Sequence, residues 1–330
     1  MVAQIQSSML LVIGLAVAFA TMGHAQLSET YYAKTCPGGA QAVAQVVNDA
    51  VRSDRRNAAA LLKLQFVDCF VLGCDASILL ASTKYNVAER DALPNRNLRG
   101  FWIIDQAKAA LERICPEVVS CADIVALAAR DAITAIGGPR WKVPLGRRDG
   151  STSRERNAVI NLPRHNMTYT QLWDNFRKYG FSEAEMIALS GAHTIGVTPC
   201  SGVTPRIYNY PGSASGADPY LNSSYVWERR WMCPNSLSTA KNLVALDVSR
   251  GGQTFDTNYY ANVLQHKAVF KADDALISTW NGRNKVLDLS KSQSKFFSEF
   301  ALAMEKLGRL KVTFAPYGQV RKFCSRRYGE

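Results

Sequence analysis

The chain predicts a mainly α-helical protein with a polar, loop-rich middle, and its 330 residues leave room for a large core and two packed lobes. Helix-capping signals recur ahead of apolar runs, whereas the alternating pattern of half-buried strands is scarce. Eight cysteines are the other observation. In an oxidising compartment that number predicts four disulfides, although counting alone leaves 105 pairings open.

The first 25 residues carry no Lys, Arg, Asp or Glu, and Met9 to Ala20 is an apolar run too short to span a bilayer. Small residues at Gly23 and Ala25 suit a signal-peptidase site, so residues 1–25 are expected to be a signal peptide and Gln26 the mature terminus. Pro37, after Cys36, suits a first helical position. Ser120-x-x-Asp123, Thr168-x-x-Gln171 and Ser182-x-x-Glu185 each open an amphipathic run. Gly137-Gly138-Pro139 suits a helix stop, and Asn209–Ser224 and Ser249–Thr257 read as long loops.

The net charge of +12 favours polyanions, and in a secreted protein that means acidic polysaccharide. No dense Lys/Arg run reads as a nucleic-acid arm, and the pairs Arg147-Arg148 and Arg229-Arg230 read as structural or solvated. Asn166 and Asn222 head sequons expected on surface loops.

Beyond residue 25 only His165, His193 and His266 remain, and nothing sets them at metal-ligand spacing. Cys-x-x-Cys, P-loop and nucleophile-elbow patterns are absent from the sequence. His193 ends the helix expected from Ser182, inside Leu-Ser-Gly-Ala-His-Thr-Ile-Gly. A lone His beside an apolar helix is ordinarily a core residue, but Leu189–Gly196 resembles the proximal haem-ligand motif of the plant secretory (class III) haem peroxidases. Further segments fall in the order of that family: Tyr32–Pro37, Ala58–Leu80, Cys115-Pro116 through Asp123, Val143–Asp149, and Phe255-Asp256 through Tyr259-Tyr260.

The resemblance covers nearly all of residues 26–330 and implies the two-lobed haem peroxidase fold, with haem between a distal lobe (about 26–160) and a proximal lobe (about 161–330). It implies disulfides Cys36–Cys115, Cys69–Cys74, Cys121–Cys324 and Cys200–Cys233. It makes His193 the axial ligand of haem b, with Asp273, rather than its neighbour Asp274, as the carboxylate that orients the imidazole. A distal calcium is expected on Asp68, Val71, Gly73, Asp75 and Ser77, backed by Glu89, since hard oxygens in a stapled loop suit that ion. A proximal calcium is expected on Thr194, Asp247, Thr254 and Asp256, although Asp247–Asp256 is one residue longer than usual and has Arg250 and Gly251 where a threonine is expected. Pro163 is expected at the donor-binding entrance, near His165. A secreted, cell-wall monomer acting on hydrogen peroxide and small phenolic donors is implied, with no membrane segment after signal cleavage.

One motif departs from the family. Arg-Leu-x-Phe-His-Asp-Cys appears here as Lys63-Leu64-Gln65-Phe66-Val67-Asp68-Cys69. Asn95 stands where the family's His-orienting asparagine is found, in a segment one residue shorter than usual. Valine has no proton to move, and Lys63 is a point charge without the planar fork of Arg. The expectation is a peroxidase of reduced efficiency, with a non-enzymatic haem or wall-polysaccharide binder as the alternative.

Overall fold

The computed structural model describes residues 26–247 and 251–327; the expected signal peptide and Arg250 lie outside the described residues. Helix α1 (Gly39–Ser53), α2 (Arg56–Val71), α3 (Phe101–Ile114) and α4 (Cys121–Ala135) pack on one another, α4 at their centre against α1, α2 and α3. Every residue of α4 from Cys121 to Ile133 is buried, because its Ala, Ile, Val and Leu side chains surround the helix rather than forming one stripe. Ser120 caps it by accepting from the Asp123 amide. At the other end Gly137 takes φ +88°, its N–H bonds Thr134 O, and the Gly138 N–H reaches Ile133 O. That left-handed turn is the Schellman stop, which glycine adopts without strain.

Helix α5 (Glu155–Asn161) leads to α6 (Tyr169–Arg177) and α7 (Glu183–Ser190), both opened by full capping boxes at Thr168/Gln171 and Ser182/Glu185. After α8 (Thr204–Ile207) and α9 (Ser223–Met232), α10 (Asn258–Leu264), α11 (Lys271–Ala275), α12 (Trp280–Lys291) and α13 (Gln293–Leu307) complete the order. Helix α12 packs on α10 and α7, and α13 on α7. The one sheet among the described residues pairs β1 (Val197–Pro199) antiparallel with β2 (Leu243–Ala245), Val197 opposite Ala245.

Two expectations need adjustment. Pro37 lies ahead of α1, whose N-cap is Gly38, because the Cys36 amide is already turned back onto Tyr32 O. His193 is not in the helix begun at Ser182. That helix ends at Ser190, and Gly191–Thr194 forms a separate 3-10 turn.

The disulfides are Cys36–Cys115, Cys69–Cys74, Cys121–Cys324 and Cys200–Cys233. Cys121–Cys324 joins the start of the central helix to the C-terminal segment, 203 residues apart. Closing so long a loop in the unfolded chain predicts that Cys121→Ser with Cys324→Ser lowers unfolding free energy by about 3–5 kcal/mol, measured by reversible denaturation against wild type. Close by, Arg147 and Asp123, both fully buried, pair at 2.7 Å, and Tyr32 donates to the same carboxylate at 2.8 Å. Arg147 is thus structural, as is Arg229, fully buried beside the Tyr225 ring.

Candidate active site

The 3-10 turn Gly191–Thr194 presents His193 with 41% of its side chain exposed. Its Nδ1 lies 2.9 Å from Asp273 Oδ1 on α11. An ionised carboxylate only accepts, so Nδ1 carries the hydrogen and Nε2 keeps its lone pair on the opposite side of the ring. Asp273 is buried, and the Tyr259 hydroxyl on α10 donates to the same Oδ1 at 2.8 Å. Phe270 packs edge-on to the imidazole, with ring centroids 5.3 Å apart. The ring is therefore fixed in tautomer and orientation.

Asp274, the adjacent carboxylate, turns away. Arg206 grips it at 2.7 Å and Asp218 at 2.8 Å. Burial, ahead of the attraction of Arg206, pushes the Asp274 carboxyl up to about 7. Tyr259 and Arg206 were missed as site residues in the sequence. Tyr259 stands inside the Phe255–Tyr260 motif, and that position was its one signal; Arg206 had none, because its partners lie 12 and 68 residues away.

Helix α2 packs against the turn that follows His193. From Asn57 to Val71 every residue is buried or half-buried except Lys63, which is exposed. A Cβ placed on Gly196, just after His193, would sit 3.2 Å from the Ala59 Cβ. The His193 segment thus reaches α2 one turn before Lys63, and residues 59, 63, 66 and 67 share that face of the helix. Surrounding protein nonetheless desolvates the Lys63 ammonium and lowers its pKa. Val67, one turn on, is 3% exposed, and Phe66 stacks on Phe70 at 4.5 Å.

Asn95 is buried; its amide nitrogen donates to Glu89 O at 2.9 Å, while its Oδ1 has no hydrogen-bond partner. Such an orphan acceptor costs about 1–3 kcal/mol. On the other approach, half-buried Pro163 precedes His165, whose ring lies 5.9 Å from Phe270 and whose pKa burial lowers.

Asp68, Ser77 and Glu89 are buried and Asp75 half-buried beneath the Cys69–Cys74 staple. Asp68 accepts from the Ala76 amide at 3.0 Å, Asp75 from the Ser77 amide at 3.0 Å, and the Ser77 hydroxyl donates to Glu89 at 3.1 Å. Burial raises all three carboxyl pKa values; for Asp68 and Glu89 the repulsion of Asp75 adds to it, and Glu89 reaches about 8. Glu89 Oε1 has no hydrogen-bond partner. Val71 and Gly73 are buried in the same loop. Among the described residues no three His, Cys, Asp or Glu side chains form a metal-holding group on their own. A cation here would rest on mixed carboxylate, hydroxyl and carbonyl oxygens, the donor set of calcium.

Near His193, Thr194 Oγ1 lies 3.4 Å from Thr254 O and 3.3 Å from Asp256 Oδ1. Asp256 also accepts from the Asn258 amide, and Asp247 accepts from Asn262 on α10. Three of the four residues expected at the proximal calcium therefore meet, while Asp247 is tied to α10.

Residues 43–292 match the family model described as Peroxidase. The chain is 44% identical to Peroxidase 3 of Arabidopsis thaliana, covering 96% of this chain and 98% of that protein. It is 43% identical to the lignin-forming anionic peroxidase of Nicotiana sylvestris over 91% of each, and 40% identical to Peroxidase 22.3 of Oryza sativa subsp. japonica over 97% of each. Among the described residues no helix is long and apolar enough to cross a membrane. On this family match and these identities over nearly the full chain, the chain belongs to the peroxidase family, as a class III plant peroxidase.

Proposed function

We propose that this peroxidase binds haem b through His193 and two calcium ions, and oxidises small phenolic donors with hydrogen peroxide at reduced efficiency, in the secreted space of the cell wall. The observation that carries the reading is the His193–Asp273 pair at 2.9 Å, with Nε2 free on a half-exposed ring. The residues fit the cofactor: an imidazole oriented by Asp273 and Tyr259, and the exposed Lys63 on the helix that packs against the turn after His193. Haem, when bound, supplies the redox chemistry of peroxide reduction and donor oxidation. Asp273 and Tyr259 hold the His193 tautomer and raise its basicity. The oxygens of Asp68, Asp75 and Ser77 would hold the distal calcium, with Glu89 behind them. Thr194, Thr254 and Asp256, with Asp247, would hold the proximal one. Pro163 would flank the donor.

On the cleft side, peroxide must lose a proton and the departing oxygen must regain one. An imidazole at position 67 would do both; Val67 does neither, and Asn95 Oδ1 is left unpaired. Lys63 supplies charge but a poorer geometry for a developing oxyanion. The experiment is reconstitution with haem: wild type is expected to show a Soret band, and His193→Ala to lose at least 90% of it. An undiminished band in His193→Ala would remove the axial role of His193.

The net charge of +12 supports a second property, retention on acidic wall polysaccharide that weakens as salt screens the attraction.

A further inference from the structure

Arg206 on α8 is buried, and every nitrogen of its guanidinium has a partner in another segment. Nε and Nη2 donate to Asp218 Oδ2 at 3.0 and 2.8 Å, and Nη2 donates also to Asp274 Oδ2 at 2.7 Å. Nη1 donates to the backbone oxygens of Ala268 at 2.9 Å and Val269 at 3.4 Å. The Asp218 amide in turn donates to Arg206 O at 2.8 Å, so the arginine and its anchor are tied through backbone and side chain alike. One side chain thereby holds the segment 268–274 at both ends. Between the two grips stand Phe270, edge-on to the His193 ring, and Asp273, which accepts from the His193 Nδ1. Ala268, Val269, Asp273 and His193 line one small hollow.

Helix α11 is five residues long, too short to hold its own direction, so tertiary contacts set it. Asp273 and Asp274 are adjacent buried carboxylates, and like charges repel. Arg206 takes Asp274 and leaves Asp273 to Tyr259 and His193. We propose that Arg206 is a positioning residue for the His193 imidazole: by clasping both ends of residues 268–274 it sets the Asp273–His193 hydrogen bond. The inference rests on the reading that His193 is the haem ligand. A lysine at position 206 would keep the charge, but a single ammonium lacks the planar fork that serves two carboxylates and two carbonyls together.

The test is the reduction potential of the haem-loaded protein, measured by spectroelectrochemistry. A firmly held Asp273 makes His193 a more basic ligand, which favours the more oxidised iron, so loosening it raises the potential. Arg206→Lys is expected to raise it by at least about 59 mV, about tenfold in the one-electron equilibrium. Asp273→Asn, which weakens the hydrogen bond directly, should raise it at least as far. Adding Arg206→Lys to Asp273→Asn should then shift it little further, because both changes act through one contact. A raised potential in Asp273→Asn beside an unchanged one in Arg206→Lys would overturn the proposal alone. Additive shifts in the double variant would overturn it too, since Arg206 would then act by another route. If Arg206→Lys fails to fold or to load haem, Asp274→Ala and Asp274→Asn decide. Both remove the charge, but only alanine opens the α11 grip, so alanine should give the higher potential, and equal values would overturn the proposal. An unchanged potential in Asp273→Asn would strike the reading of His193 and Asp273 as the ligand pair, and the proposal with it.

Discussion

Val67→His combined with Lys63→Arg is expected to raise peroxide turnover with a phenolic donor by about 10²–10⁴-fold, the usual contribution of a positioned proton-transfer group. That range corresponds to roughly 3–5 kcal/mol of barrier. The expected acceptor for the new imidazole is Asn95, which is buried, donates its amide to Glu89 O and has an Oδ1 with no hydrogen-bond partner. Val67→His alone should recover most of the gain, and Lys63→Arg alone little, since an arginine fork without a base still leaves the peroxide proton unmoved. Steady-state kinetics of the four proteins, normalised to haem, checks this; an unimproved double variant would place the bottleneck elsewhere.

Removing calcium with a chelator is expected to destabilise the protein far more at pH 8 than at pH 5. In the metal-free site, burial and the charge of Asp75 raise the Glu89 carboxyl to about 8, and Asp68 is raised in the same direction. The folded state then binds more protons than the unfolded chain between about pH 4.5, the ordinary value for Glu, and pH 8. Metal-free stability therefore falls as pH rises through that window, by on the order of 4 kcal/mol for Glu89 alone. Calcium bound at the site would neutralise the carboxylates and cancel the loss. Thermal unfolding with and without chelator should show a Tm drop on the order of 10 °C at pH 8 and only a few degrees at pH 5. Equal drops at both pH values would mean that this cluster does not hold the ion. Glu89 also carries the carbonyl that anchors Asn95, so the same treatment should loosen the cleft wall.

Much of this site was legible because its signals are local. Ser120, Thr168 and Ser182 cap their helices through residues three positions on, and Gly137 stops α4 within one turn. His193 announced itself by the residues on either side of it. The choice of Asp273 over Asp274 rested on a margin of one residue, and the two carboxylates face different partners, His193 and Arg206. What was not legible depends on contacts between distant segments. Nothing in the spacing around Arg206 shows that it grips both Asp218 and Asp274. The lowered pKa of Lys63 comes from the folded surroundings of α2, which the spacing of the helix does not show. The unpaired oxygen of Asn95 becomes visible only once its burial is known.

The most direct test is rapid mixing of the haem-loaded wild-type protein with hydrogen peroxide, following the Soret band without any donor. This isolates the step that needs a proton moved in the cleft from the later oxidation of phenols. A protein with an oriented His193 and no proton-transfer group at position 67 should show the band, and its bimolecular rate constant should be about 10²–10⁴-fold below that of Val67→His with Lys63→Arg. A wild-type rate equal to that of the double variant would contradict the account.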